Sequence, residues 1–406
     1  MNRHPHLWAA AAALLATAAG ALAYTLYARY TENKYVHAVA AQDHSEISRG
    51  TAIDRAALKQ PDLLLIYGAS ELVLLQTEYE ATQFFRMYPT GFMVFNAATK
   101  GGSSLTVAQR LAALGPDLRG RRVIFAIGPA IMTMAPFGEV AQRHYAGNFS
   151  ELHALELAFN PQLTLETKRL AARRMLDFPE TLAGNPFLIF TIRQLAQPTP
   201  LSTLLHVLSW PLGRLQVAIL HLQDHYATVE YIHHLSAAEV TVTREPRQVD
   251  WQALIDVAER EQIENTDSNP FGVDNSQWPK IKELFVSPLP PGTRDDDFIN
   301  DVTIAREWDD LKIALRVIQE LGADAIIMSS PMNVPLWETI GVSEDAQNTY
   351  YELLHSVVDP YRIPLIDGKE WGRIPYFSMD LASHASRKGW IYVDQRFDQI
   401  YHGALP

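Results

Sequence analysis

The 406-residue chain contains no cysteine, which excludes disulfide bonds, thiolate metal ligands and a cysteine nucleophile. It also lacks a cluster of Lys and Arg, and its formal net charge is −12. A general nucleic-acid-binding protein needs concentrated positive charge to neutralise phosphates, so the composition argues against this class and against a nucleic-acid partner. What is present, 48% hydrophobic and 20% charged residues, is typical of a globular protein.

An apolar segment occupies most of the first 30 residues. No side chain from Leu7 to Tyr27 is charged, and this length matches the roughly 20 residues that a bilayer core requires. We predict an uncleaved, single-pass membrane anchor over residues 1–30, with the rest of the chain outside the cytoplasm. A signal peptide cleaved after Ala23 is the alternative, because Ala21-Leu22-Ala23 fits a cleavage site.

Five short apolar segments alternate with amphipathic helical patterns. Each is bounded by Gly, Pro or polar residues, as is typical of strands that are covered on both faces in a parallel sheet. The alternation predicts a three-layer α/β domain with a mostly parallel sheet. The predicted strands are residues 62–67, 91–96, 122–127, 325–328 and 363–367.

A long helical region interrupts this α/β pattern. Its stretch 201–226 is apolar, but Pro211-Leu212-Gly213 breaks the pattern, so we do not expect a second membrane pass. The region is expected to cover the active edge of the sheet or to lie against a membrane or partner, with a plain structural lid as the alternative. The predicted organisation is a stem (31–60), a first part of the α/β domain (61–146), a helical insertion (147–300) and a second part (301–406).

Ser70 directly follows the first predicted strand, in the segment Gly68-Ala69-Ser70-Glu71. Open α/β sheets carry their chemistry at the carboxyl ends of strands, which favours a nucleophile, and capping of the next helix is the alternative. A serine nucleophile needs a base and a group that orients the base. Asp380 and His384 are four residues apart, a spacing that brings them together on a helical turn. A helix-capping Asp and a surface His explain the pair equally well.

Signatures of metal or cofactor sites are weak. Glu230 lies one helical turn before His233-His234, but no second cluster completes a metal site. Lys100 precedes the pair Gly101-Gly102, whereas the Lys of a P-loop follows its glycines. We therefore expect neither a metal ion nor a cofactor.

The order of these motifs resembles the SGNH or GDSL superfamily of serine esterases and acyltransferases. Within it, the chain looks most like the D-alanyl transfer (DltD) family of teichoic acid D-alanylation. The resemblance implies the three-layer SGNH-type sheet, with an N-terminal transmembrane helix and a helical insertion. It rests on the N-terminal apolar segment and on residues 68–71, 268–272, 331–337 and 375–390.

The resemblance also implies roles for three residues: Ser70 as nucleophile, His384 as general base and then acid, and Asp380 as its orienting partner. The family has two residues between this Asp and His, whereas three stand here. Asp367 or a backbone carbonyl is therefore an alternative orienting group. The implied activity is transfer of a D-alanyl group, through acyl-Ser70, to a hydroxyl of a cell-envelope polymer or to water. Acetyl transfer to an exported polysaccharide, or a non-enzymatic role beside a membrane acyltransferase, are the alternatives.

Acyl transfer also needs N–H donors for the oxyanion. The candidates are the N–H groups of Ser70, Gly101, Gly102 and Gly128, although a Gly pair is also a common turn. Expected partners are an acyl donor, such as a carrier protein or a membrane acyltransferase, and the acceptor polymer. Two residues after the fourth predicted strand are candidates for a substrate pocket, with a turn-forming Asn and a buried Trp as the alternative; they are Asn333 and Trp337.

Overall fold

A computed structural model describes residues 5–73, 77–133, 144–235, 245–382 and 384–404. Its strands form one parallel sheet in the order β2-β1-β3-β4-β5. All five predicted strands are confirmed, with ends that shift by at most two residues. The strands are β1 Leu63–Tyr67, β2 Met93–Asn96, β3 Arg122–Ile127, β4 Asp324–Ser329 and β5 Leu365–Ile366.

Helices follow the strands and fill the region between β3 and β4, where the described residues contain no further strand of this sheet. They are α1 Pro5–Ala40, α2 Ala52–Ala57, α3 Ala81–Met87, α4 Ser104–Leu114, α5 Pro129–Thr133, α6 Glu151–Phe159, α7 Leu165–Met175, α8 Pro179–Leu182, α9 Pro186–Ala196, α10 Pro200–His234, α11 Trp251–Glu264, α12 Trp278–Ile281, α13 Asp295–Ile304, α14 Glu307–Leu321, α15 Val334–Thr339, α16 Glu344–Val358 and α17 Arg387–Tyr401.

The sheet has a hydrophobic core on each face, because successive side chains of a strand point to opposite sides. In β1, Leu65 and Tyr67 belong to the core that α4, α14 and α16 cover. Leu64 and Ile66 belong to the other core, under α3, α11 and α17. The three-layer α/β arrangement predicted from the sequence is therefore present.

The sheet order places a crevice next to β1. From β1 the chain moves to β2 on one side, and it then returns to form β3 on the other side. The connections that follow β1 and β3 therefore diverge, and ligands of open α/β sheets bind where such connections separate. Ser70 follows β1 and Gly128 follows β3, so both lie at this crevice.

Helix α1 extends through the predicted boundary between anchor and stem. Its first turns are exposed, whereas Val36 and Val39 are fully buried in the core under the sheet. Two described helices, α1 and α10, are long and apolar enough to cross a membrane by length and composition.

The predicted interruption of the apolar stretch at Pro211 is wrong, because α10 runs continuously from Pro200 to His234. A proline removes one intrahelical hydrogen bond, and the packing of the next turn offsets this cost. Gly213 lies so close to Phe159 of α6 that a Cβ would stand 2.2 Å from the ring. His206 stacks on the same ring at 5.1 Å. Tertiary contact thus maintains the helix through its proline.

The helices between β3 and β4 flank the sheet on both faces. Those of residues 151–234 extend the first core, and α11 packs on α17 in the second. No described residue of the predicted insertion lines the cavity beside Ser70. Residues near α12 nevertheless contact the chain next to Asp380. Val273 and Phe285 belong to a small apolar cluster, and Leu381, the residue after Asp380, packs against this cluster.

Candidate active site

Ser70 is held in a one-turn helix, Ser70–Leu72, directly after β1. Asn96, the last residue of β2, donates its side-chain N–H to the Leu72 carbonyl at 2.8 Å. On the other side of the serine, the Ala69 N–H donates to Glu71 Oε1 at 2.6 Å. A Cβ on residue 68 would stand 2.5 Å from that Glu71 oxygen. Gly68 therefore allows the Glu71 carboxyl group to fold back over the strand end.

Three side chains from opposite ends of the chain form one hydrogen-bonded chain. His384 Nε2 lies 2.9 Å from Ser70 Oγ, and His384 Nδ1 lies 2.6 Å from Asp380 Oδ2. The His384 and Asp380 side chains are 13% and 8% exposed. With the imidazole proton on Nδ1, Nε2 is free to accept the serine proton, the arrangement that an activated serine requires.

Hydrogen bonds between described residues close the loop that carries Asp380 and His384. Ser378 and Ala385 form an antiparallel bridge, and the Met379 N–H donates to the His384 carbonyl at 2.8 Å. The His384 N–H in turn donates to Asp380 Oδ1 at 3.2 Å. The alternative acid, Asp367, lies 3.2 Å from His355 instead. Asp380 is thus the carboxylate that contacts the His384 ring.

The motifs on either side of this loop hold it in place. Ser386 caps α17 by accepting the Gly389 N–H at 3.1 Å. A Cβ on Gly389 would lie 2.1 Å from the Phe377 carbonyl oxygen, so only glycine permits this approach. From the insertion, the Asp274 N–H donates to the Met379 carbonyl at 2.9 Å. The segment that follows residues 268–272 therefore supports the Asp380 loop.

The surroundings shift the pKa of His384 and of Glu71. Burial alone would lower the pKa of His384, but the hydrogen bond and the charge of Asp380 outweigh it, with a smaller contribution from Glu71. The pKa of His384 is therefore raised above the usual value of about 6.5. Burial raises the pKa of the Glu71 carboxyl, against the opposing effects of the Ala69 N–H and of His384.

The four candidate oxyanion donors line one cavity with His384. The Gly102 N–H donates to the Thr99 carbonyl at 2.9 Å, so this donor is already engaged. A Cβ on residue 102 would stand 2.9 Å from the Gly68 carbonyl oxygen. The two backbone segments approach so closely that residue 102 has no room for a side chain, which explains why it is a glycine. The N–H groups of Ser70, Gly101 and Gly128 remain as candidates.

The structure places Asn333 and Trp337, the predicted substrate-pocket residues, away from Ser70. Asn333 caps α15 by accepting the Leu336 N–H at 3.4 Å. Trp337 packs edge-on against Phe298, with ring centroids 5.2 Å apart. Neither residue lines the cavity beside Ser70. The alternative of a structural Asn describes Asn333, whereas Trp337 is partly buried rather than fully buried.

Sequence reasoning missed three polar groups at the site. Glu71 lies shortly after β1 and Asn96 is the last residue of the neighbouring β2, a position that could have drawn attention to them. Glu307 lines the cavity from the start of α14, more than 200 residues from Ser70, and no local pattern marks it. The described residues contain no cluster of three His, Asp or Glu that could hold a metal ion.

Comparisons with known proteins agree on one family. A family model described as DltD protein matches residues 40–402. A curated relative from Bacillus subtilis, Protein DltD, is 25% identical over 358 residues, which cover 87% of this chain and 86% of the relative. Protein DltD of Staphylococcus aureus is 21% identical over 359 residues, 88% and 86% of the two chains. Protein DltD of Lacticaseibacillus rhamnosus is 22% identical over 357 residues, 86% and 80% of the two chains.

Proposed function

The chain belongs to the DltD protein family, and from this premise we propose that it is a membrane-anchored serine acyltransferase of the SGNH type. In this proposal it transfers D-alanyl groups during teichoic acid D-alanylation, with its catalytic domain outside the cytoplasm. One observation carries the proposal: Ser70, His384 and Asp380 form a continuous hydrogen-bonded chain at the crevice beside β1.

In the proposal the reaction proceeds in two steps, acylation of Ser70 and transfer of the acyl group to the acceptor. In the first, His384 Nε2 takes the Ser70 proton as Oγ attacks the acyl carbonyl, and the bond from the acyl carbon to the donor breaks. His384 returns that proton to the departing donor. In the second, an acceptor hydroxyl of the polymer gives its proton to His384 as its oxygen attacks the acyl carbon, the bond from the acyl carbon to Ser70 Oγ breaks, and His384 returns the proton to Oγ. The covalent intermediate divides one difficult transfer into two easier ones.

Each neighbouring group has a defined role in this scheme. Asp380 holds the imidazole proton on Nδ1 and stabilises the cation that forms. Negative charge that develops on the acyl oxygen is stabilised by N–H groups of the cavity wall, for which Ser70, Gly101 and Gly128 are available. In the proposal, His384 supplies the base and the acid, Asp380 stabilises the imidazolium, and backbone N–H groups stabilise the charge on the acyl oxygen.

Helix α1 supports the proposed location. Its apolar first turns are exposed, including Leu7, Leu14, Leu15 and Leu22, and they are long enough to span a bilayer. In the proposal this part of α1 anchors the protein, and the crevice faces the cell envelope where the acceptor polymer lies.

The acyl group can be identified on the protein itself. We expect the purified full chain to acquire a D-alanyl group on Ser70 when it is incubated with a D-alanyl thioester, and no acetyl group from the acetyl thioester of the same thiol. Mass spectrometry of the Ser70 peptide measures the adduct, and His384→Ala serves as a control that should remain unmodified. If Ser70 were acetylated but not D-alanylated, the proposed activity would be acetyl transfer instead of D-alanyl transfer. If neither donor modified Ser70, the proposed acyltransferase activity would be contradicted.

A further inference from the structure

The cavity beside Ser70 extends inward to a buried carboxyl group, that of Glu307. The cavity has a volume of about 80 Å³, well above the roughly 10–15 Å³ that a cavity needs to hold one water molecule. Ser70 and His384 lie on its wall together with Glu307. A small acyl group attached to Ser70 Oγ would therefore share this cavity with the Glu307 side chain.

The fold holds the Glu307 side chain firmly. Glu307 is the first residue of α14 and is 8% exposed. Its Oε1 accepts the N–H of Ser104, the first residue of α4, at 2.5 Å. The side chain therefore joins two helix starts at the inner wall of the cavity.

The described residues offer Glu307 no Lys or Arg within the cavity. The other titratable side chains there are those of Glu71, His144 and His384. The nearby Arg174 is engaged elsewhere, because it donates to Asp310 at 2.8 Å and to Asp177 at 3.0 Å. Burial, reinforced by Asp310, raises the pKa of Glu307 above the usual value of a carboxyl group. A cation in the cavity would reverse this destabilisation of the ionised form.

We propose that Glu307 binds the α-ammonium group of the acyl chain that is transferred, so that the enzyme selects aminoacyl over simple acyl donors. The inference rests on the proposed acyl transfer at Ser70 and adds its substrate determinant. The α-carbon of such a donor is bonded to the carbonyl that Ser70 attacks, so its ammonium group enters the cavity with the acyl chain.

The test compares two donors that differ only in the amine, D-alanyl and propionyl thioesters. Acylation of Ser70 in the full chain is followed by intact mass, and each rate is divided by the donor's spontaneous hydrolysis. Glu307→Gln keeps an oxygen for the Ser104 N–H but loses the charge. We expect it to slow D-alanyl acylation roughly tenfold or more, as loss of a charged hydrogen bond does, and to leave the propionyl rate unchanged. Glu320→Gln on the same helix, outside the cavity, should alter neither rate.

The remaining outcomes are separable. An equal loss with both donors, or no loss with either, would show that Glu307 does not bind the ammonium group. In the wild-type protein alone, equal normalised rates for the two donors would also overturn the inference, even if Glu307→Gln failed to fold. A wild-type protein that neither donor acylates would instead contradict the proposed function. Thermal unfolding of each variant is measured to check that the fold is retained.

A second inference concerns an exposed apolar face of α10. Seven side chains at spacings of three, four or seven residues form what we call the leucine stripe. Each is more than half exposed, and together they extend over roughly 38 Å of helix at 1.5 Å per residue. The leucine stripe consists of Leu201, Leu204, Leu208, Leu212, Leu215, Ile219 and Tyr226.

The leucine stripe carries almost no charge. Between residues 200 and 223 the only Asp, Glu, Lys or Arg is Arg214, and its guanidinium donates to Glu156 at 2.8 Å. The opposite face of α10 packs tightly, with Gly213 and His206 against Phe159. The helix therefore cannot rotate to bury its leucine stripe in the domain.

Contacts with α1 show the direction in which the exposed part of α1 leaves the domain. Tyr27 Oη lies 3.3 Å from His233 Nε2, and Glu32 Oε1 lies 2.6 Å from His225 Nδ1. His233 is seven residues after Tyr226 and so lies in line with the leucine stripe, whereas His225 is about 100° around the helix. Glu32 of α1 therefore contacts the flank of α10, and Tyr27, which is closer to the N-terminus of α1, contacts the side of α10 that carries the leucine stripe.

We infer that the leucine stripe lies on the surface of the lipid bilayer that α1 enters. Tyr27 of α1 reaches α10 on the leucine-stripe side, just beyond the end of the leucine stripe. In this inference the exposed turns before Tyr27 continue on that side, so that one membrane contacts both. A helix with a continuous apolar face buries that face at the boundary between headgroups and acyl chains. The inference rests on the membrane anchor of the proposed function.

The absence of cysteine makes a direct test practical, because each variant carries a single thiol. The full chain is reconstituted in liposomes with an environment-sensitive fluorophore on Leu208→Cys, on Leu15→Cys in α1, or on Glu166→Cys as an exposed control. Two lipids are compared: a spin label near the glycerol end of the acyl chain quenches fluorophores at the membrane surface, where residue 208 is expected, and one near the methyl end quenches those at the bilayer centre, where residue 15 of a spanning helix lies. We expect quenching at residues 208 and 15, and none at residue 166.

Quenching at residue 15 without quenching at residue 208 would overturn the inference. A fluorophore at residue 208 that is shielded from water but insensitive to spin-labelled lipid would show that protein, either a partner or a second copy, covers the leucine stripe. If residue 15 is not quenched, the membrane anchor itself is contradicted.

Discussion

Ser70→Ala is expected to abolish covalent labelling by a fluorophosphonate probe and to remove acyl transfer. Only a serine whose proton is taken by a base attacks such a probe, and Ser70 Oγ lies 2.9 Å from His384 Nε2. Alanine removes the attacking oxygen, and losses on the order of 10⁶ in turnover accompany removal of such a nucleophile. In-gel fluorescence measures the labelling, and donor consumption measures the transfer.

Ser356→Ala is the matched control, since Ser356 is an exposed serine of α16 outside the cavity beside Ser70, and its hydroxyl donates to the Leu353 carbonyl. It should label like the wild-type protein. An unchanged melting temperature of Ser70→Ala would attribute its loss to chemistry rather than to unfolding. Full labelling of folded Ser70→Ala would place the nucleophile elsewhere.

Asp380→Asn is expected to slow acylation by a factor on the order of 10³–10⁴, because an Asn no longer holds the imidazole proton on Nδ1. It should also shift the pH profile. His384 must be neutral to act as a base, so the wild-type rate rises with pH through a midpoint above the usual histidine pKa of about 6.5. Asp380 opposes the burial that lowers the pKa of His384. Without that charge, the pKa and the midpoint fall.

Acylation rates measured across about pH 5 to 9 test both parts of this prediction. Asp367→Asn provides the matched control, because Asp367 contacts His355 rather than His384. It should retain the wild-type rate and midpoint. An Asp380→Asn protein with the wild-type midpoint would mean that Asp380 does not set the charge of His384.

The strands illustrate what sequence patterns can predict. Each predicted strand is a continuous apolar run, and burial on both faces requires such a run whatever the neighbours are. The boundary between anchor and stem was harder to predict from the sequence. A helix that continues from a membrane into a protein core changes its environment, but its periodicity stays the same. The predicted interruption at Pro211 was wrong for a related reason: packing against Phe159 stabilises the helix beyond its local propensity.

For this protein, local sequence determined the order of strands and helices and the position of Ser70 at a strand end. Both depend on periodicity and on nearest neighbours. Tertiary structure decided which acid contacts His384, and it brought Glu307 into the Ser70 cavity. It also left Asn333 and Trp337 outside that cavity, because contacts between segments hundreds of residues apart depend on how the layers pack, which no local pattern encodes.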